Sequence, residues 1–93
     1  MEHYLEASPA VVLREEFDDW AVLFDPETGA GFSLNPVGVF VWRHLDGRHS
    51  VDDIMDAMRR EFAEVPEDAR AHMEELIQSL VDKGLVGRVM RQG

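Results

Sequence analysis

Three sets of residues in this 93-residue chain have types and spacings that could do chemistry. His44-x-Asp46-x-x-His49 offers two imidazoles and a carboxylate, a donor set that zinc or a related metal accepts. A glycine lies inside the trio and no cysteine supports it, so the reading as turn and helix-end residues is preferred. Glu15-Glu16 and Asp18-Asp19 supply paired carboxylates, as general acid–base catalysis requires. They flank a predicted hairpin, where nothing buries one carboxyl to raise its pKa against the other. No serine stands in a nucleophile-elbow context, and no glycine-rich phosphate loop is present. Without cysteine, disulfides, thiolate metal sites, iron–sulfur clusters and thiol nucleophiles are excluded. The expectation is a protein with no catalytic residue, no metal and no cofactor.

The elements that would position any site fall into two halves. AVVLREEF (10–17), WAVLFD (20–25) and AGFSL (30–34) are rich in β-formers. Asp18-Asp19 fits a two-residue hairpin turn, although glycine is missing. DPETG (25–29) is a turn, with proline presetting a negative φ and glycine free to take a positive one. The remainder reads as helix. Asn35 caps a first helix with Pro36 at its first position, running to about Leu45. Val37, Phe40, Val41 and Leu45 share one face, while Val39 and Trp42 lie off it, so this helix is expected to be buried on two sides. Asp46-Gly47 ends it.

Ser50 caps a second helix, with Asp52 and Asp53 at the positive end of its dipole and Val51, Ile54, Met58 and Phe62 facing inward. Pro66, Glu67 and Asp68 open a third, in which Ala69, Met73, Leu76, Ile77, Leu80 and Val81 recur at helical spacing until Gly84. LVGRV (85–89) is either a short tail strand or a packed-down segment. The predicted fold class is α+β and winged-helix-like: a three-stranded antiparallel β-meander followed by three α-helices.

Size and charge narrow the partners. A chain this short is one domain, 1–93, burying about two-thirds of its unfolded surface, which leaves little room for a deep active site. The apolar run Val37–Trp42 is far too short to cross a membrane, and MEHYLEASPA carries no signal-peptide pattern, so a cytoplasmic protein without a membrane partner is expected. Nineteen acids face nine bases, a net charge of −10. Nucleic-acid affinity rests on Lys and Arg neutralising phosphates, and a helix-turn-helix reader would have to use 66–83, which holds five acids against Arg70 and Lys83. No nucleic acid is expected; a basic or neutral apolar partner suits the surface better. Strand 30–34 comes last in the meander, is short and uncharged, and lacks the lysine, proline or bulge that guards an edge. It is positioned to accept an added strand. Such an edge leaves monomer and dimer both open.

L-N-P-x-G-x-x-x-W (34–42), L-D-G-x-x-S-V-x-x-I (45–54) and L-x-x-x-G-L-V (80–86), in this order after a β-rich start, resemble the PqqD-like family, also called RiPP recognition elements. The resemblance covers a core of about 9–88. It implies a non-catalytic peptide chaperone that binds the leader segment of a ribosomally made precursor peptide and presents it to a modifying enzyme, often a radical SAM enzyme. It also implies that the leader adds to the third strand and rests against the third helix. The implied peptide-binding residues here are Ala30, Gly31, Phe32, Ser33 and Leu34 on the strand, and Arg70, Met73, Glu74, Ile77 and Val81 on the helix. Helical periodicity alone reads Met73, Ile77 and Val81 as core and Arg70–Glu74 as a solvated pair. A protein–protein adaptor without peptide cargo is the alternative function.

Overall fold

The computed structural model describes residues 2–91. The meander forms as the turn chemistry predicts. β2 (Val12–Glu15), β3 (Ala21–Phe24) and β4 (Gly31–Leu34) make an antiparallel sheet in the order β2-β3-β4. Asp18 and Asp19 both take positive φ, at 59° and 63°, and the Trp20 N–H closes the turn on the Phe17 carbonyl. Aspartate tolerates this left-handed region better than most residues, which is why the hairpin forms without glycine. At the second turn the Asp25 carboxylate accepts the Glu27 N–H at 2.9 Å, while its own carbonyl accepts Gly29 N–H at 2.8 Å. Gly29 supplies the positive φ. Ala21, Leu23 and Leu34 point inward and are buried, so the sheet lays one face on the helices.

The helices are α1 (Pro36–Arg43), α2 (Val51–Glu61) and α3 (Ala69–Asp82). Asn35 Oδ1 caps α1 through the Gly38 N–H, and Ser50 and Asp53 form a reciprocal capping box at α2. Val39 and Val41 are buried and Phe40 and Trp42 half-buried, so α1 does pack on two sides. Ile54, Met55, Met58, Met73, Ile77 and Leu80 complete the core with Leu45 and Leu85.

Two helix boundaries differ from expectation. α1 stops at Arg43 rather than Leu45, and α3 begins at Ala69 because residues 66–68 form a turn, closed by Ala69 N–H on the Pro66 carbonyl. The first has a visible cause in an element that the sequence reading lacked. β1 (Glu2–Ala7) pairs antiparallel with β5 (Val86–Arg91), so the tail is a strand. The opposite edge of β1 bonds the segment after α1: Ala7 N–H to Leu45 O, Gly47 N–H to Leu5 O and Leu5 N–H to His49 O. Leu45 and its neighbours leave the helix and turn their backbone groups to β1, whose Leu5 side chain is buried in the core.

Candidate functional site

The ladder of β3 and β4 determines which backbone groups of β4 remain free. In an antiparallel pair, opposed residues alternate between bonded and non-bonded. Asp25 N–H donates to Ala30 O at 2.9 Å, so the bonded pairs in this register are Asp25/Ala30, Leu23/Phe32 and Ala21/Leu34. The backbone groups of Phe32 and Leu34 are therefore turned to β3, and those of Gly31 and Ser33 point away from it. Among the described residues, no strand pairs with that outer side of β4. The side chains follow the pleat, with Leu34 only 1% exposed and Phe32 half-buried. Lys83 Nζ sits 5.9 Å from the centre of the Phe32 ring, within cation–π range.

Beside this edge lies a groove of about 460 Å³. Ser33, Leu34 and Asn35 form one wall. α3 forms another with Ala69, His72, Met73 and Leu76, whose spacing of three, one and three is a single helix face. Val37, Gly38 and Val41 of α1 and Met58 of α2 close the floor, and Trp20, Phe62, Val65 and Pro66 complete the lining. Gly38 sits in close approach: a Cβ there would come within 3.1 Å of Leu34 Cδ2, so a side chain would need Leu34 to shift by a few tenths of an ångström. The lining contains no Lys or Arg, and Glu64 is its one carboxylate. Three large side chains in it, Trp20, Val37 and Phe62, stay substantially exposed. Apolar groups left open to water beside unpaired backbone are what an extended peptide covers.

Of the ten residues expected at the site, the structure brings Ser33, Leu34 and Met73 together in the groove, with Gly31 on the open edge beside it. Ala30 gives its carbonyl to Asp25, and Phe32 faces inward. Ile77 is core and Val81 packs half-buried against it; neither lines the groove. Arg70 and Glu74 face elsewhere. Arg70 Nη1 lies 2.6 Å from Asp52 of α2 and its Nε 3.0 Å from Glu74, and both carboxylates raise the guanidinium pKa above its ordinary value. The α3 residues that sequence reasoning did not place at the site are Ala69, His72 and Leu76. The stripe 69-72-73-76 is rotated from 70-73-74-77, a shift that periodicity could have disclosed only with knowledge of where β4 lies.

The histidine trio has local roles. The His44 ring bonds the Phe40 carbonyl at 2.8 Å and lies tilted against the Phe40 ring. His49 Nδ1 bonds Asp46 Oδ1 at 2.8 Å, and Arg48 N–H donates to the same oxygen at 2.9 Å. Burial raises the Asp46 pKa, but these two hydrogen bonds and the His49 charge outweigh it, leaving the carboxyl below its usual range. Among the described residues no three His, Asp or Glu side chains are grouped to hold a metal ion, and no helix is long and apolar enough to cross a membrane.

Two solved structures match over nearly the full length of both chains. TbiB1, in complex with the TbiA(beta) leader peptide, is 27% identical with a TM-score of 0.72, and the match covers 92% of this chain and 99% of that one. A lasso peptide synthetase B1, complexed with the leader peptide, is 25% identical with a TM-score of 0.71, covering 89% and 96%. The heterocyclase TruD shares the fold at 15% identity and a TM-score of 0.66; the match covers 98% of this chain but 12% of that one. No curated protein matches the sequence. The profile of coenzyme PQQ synthesis protein D (PqqD) matches residues 21–86, from the start of β3 through all three helices. On that match the chain belongs to the PqqD family.

Proposed function

We propose that this protein is a non-catalytic, cytoplasmic chaperone for a ribosomally made precursor peptide, whose leader segment it binds as an added strand on β4. The observation that carries this reading is the open β4 edge, with the Gly31 and Ser33 backbone groups turned outward, beside an apolar groove walled by α3. Main-chain bonds along β4 supply affinity without reading sequence, and the groove takes alternate side chains. With Glu64 the lining carboxylate and no cation present, the bound segment is apolar and neutral or basic. A disordered leader loses entropy on ordering, so affinity on the order of micromolar suits a carrier that hands its cargo on.

The loaded protein presents the peptide to a modifying enzyme, which family membership favours as a radical SAM enzyme. A second reading, in which that enzyme belongs to lasso peptide synthesis, draws support from the two leader-bound relatives; their similarity extends over nearly the full chain. The test is an amide-shift titration of the labelled protein with the leader of any short peptide encoded beside its gene. Shifts concentrated in 31–34 and 69–76, with a blue shift of Trp20 emission, are expected. Absence of shifts at millimolar peptide would refute the carrier reading and favour an adaptor whose partner is a protein surface. Pull-downs with each candidate enzyme, with and without the leader, separate the two enzyme classes.

A further inference from the structure

β3 is apolar on both faces. Ala21 and Leu23 face the helices, while Val22 and Phe24 alternate with them on the opposite, outer face, and Trp20, just before the strand, continues the apolar run half-exposed. Trp20 is 50% exposed and Phe24 48%, and Val12, the cross-strand partner of Phe24, is 54% exposed. An antiparallel strand with one wet face is ordinarily polar on that face; here the charged neighbour is Arg14, opposite Val22 on β2, and the β3 column itself is apolar, which marks a surface that something covers.

What covers it follows from the register. On the outer face the β4 residues beside Phe24 and Val22 are Gly31 and Ser33, the two smallest positions of that strand. They form a low shelf between the apolar column and the open edge. A strand added to that edge must send alternate side chains to the two faces of the sheet. One set enters the groove; the other lands on the shelf. The added strand would stand about two strand spacings, roughly 10 Å, from β3. A bulky side chain lying over Gly31 or Ser33 closes that gap and meets the side chains of Phe24 or Val22. Trp20 belongs to both surfaces, since it also lines the groove.

We infer that the protein reads both faces of its bound peptide: the groove takes the inward side chains, and Trp20, Val22 and Phe24 take bulky apolar outward ones across the Gly31–Ser33 shelf. The substrate class is therefore a leader segment with large apolar residues at consecutive positions, not only at every second one. This inference rests on strand addition at β4.

The test is selection of a randomised 15-residue peptide library by mRNA display against the full chain and against Val22→Thr, Phe24→Thr and the double variant. Threonine keeps β-propensity at these partly exposed positions. Wild type should enrich peptides with runs of consecutive bulky apolar residues. The variants should keep the alternate-residue preference and lose the intervening one. A fluorescein-labelled winner should bind the double variant several-fold more weakly, at two- to fivefold per outward residue. Replacing the winner's outward residues by threonine on the wild-type protein gives the same readout without altering the fold. Enrichment of apolar residues only at alternate positions, or unchanged preferences in the variants, would overturn the two-face reading and leave strand addition standing. No enrichment by wild type would overturn strand addition as well.

Discussion

Replacing Ser33 with proline separates docking from folding because the register assigns each backbone group of β4 to one side. The Ser33 N–H points away from β3, so its removal breaks no ladder bond. Edge strands accept proline where the missing donor faced solvent. Phe32, the residue before it, is already extended, as a pre-proline residue prefers. The cost to stability is at most about 1 kcal/mol, as for surface substitutions away from packed features.

Binding should suffer much more. The variant loses one N–H donor to the peptide and leaves a peptide carbonyl unpaired, together about 1–3 kcal/mol. In Kd that is roughly 5- to 150-fold. Phe32→Pro is the contrasting control. It deletes the N–H that the ladder uses against Leu23 and removes a half-buried ring, at about 3 kcal/mol or more in stability. Urea denaturation reads the first quantity, and anisotropy of a labelled leader peptide reads the second. If Ser33→Pro unfolds at the wild-type midpoint and binds within twofold of wild type, β4 is not the docking edge and the function argued from it is wrong.

Two neighbours on α3 should differ. Leu76→Ala weakens peptide binding severalfold because it lines the groove, and being half-buried against the core it costs less stability than Ile77→Ala, which costs about 2–5 kcal/mol in urea denaturation because Ile77 is buried. Asp19→Gly should raise stability by roughly 0.5–1 kcal/mol, since glycine relieves the positive φ at the hairpin turn; thermal melts check it. Asp46 titrates below the usual carboxylate range, so its bonds to His49 and Arg48 favour the folded state once the unfolded carboxyl is ionised, above about pH 4. That contribution fades as pH falls through the lower folded value. Asp46→Asn should flatten the acid side of the stability–pH curve below about pH 4, measured by urea denaturation at successive pH values.

The sequence disclosed what local chemistry dictates. Asn35-Pro36, the Ser50–Asp53 box and the Asp-Pro-Glu-Thr-Gly turn are short-range devices, and each forms as its residues require. β1 was invisible because its partners lie at the far end of the chain and in the α1–α2 connection; no pattern within EHYLEA announces either. The same missing strand explains the shortened α1. At the site, the edge was legible from the order of the strands, but the groove was not. Val37 and Phe62 follow the inward periodicity of their helices, and periodicity reports which face is apolar, not whether another element fills the space in front of it. In the structure nothing among the described residues fills it, and both remain exposed.

The helix-turn-helix of an acidic chain thereby acquires a use that needs no DNA. α3, which would be the reading helix, turns Ala69, Met73 and Leu76 toward β4 and holds its acidic residues outside the groove. Its one arginine is already engaged by Asp52 and Glu74. α1 begins one residue after the edge strand ends, and the Asn35 cap bonds Gly38, the residue whose missing side chain lets the helix close on Leu34. β1 then fixes the turn beyond α1 from the other side, through Leu45, Gly47 and His49. On the β4 side the groove is thus bounded by a capped helix, α1, while α3 has no side-chain cap and is entered through residues 62–68, part of which line the groove. A gap already formed in the free protein lowers the ordering that the protein itself must undergo on binding, leaving the peptide as the partner that folds.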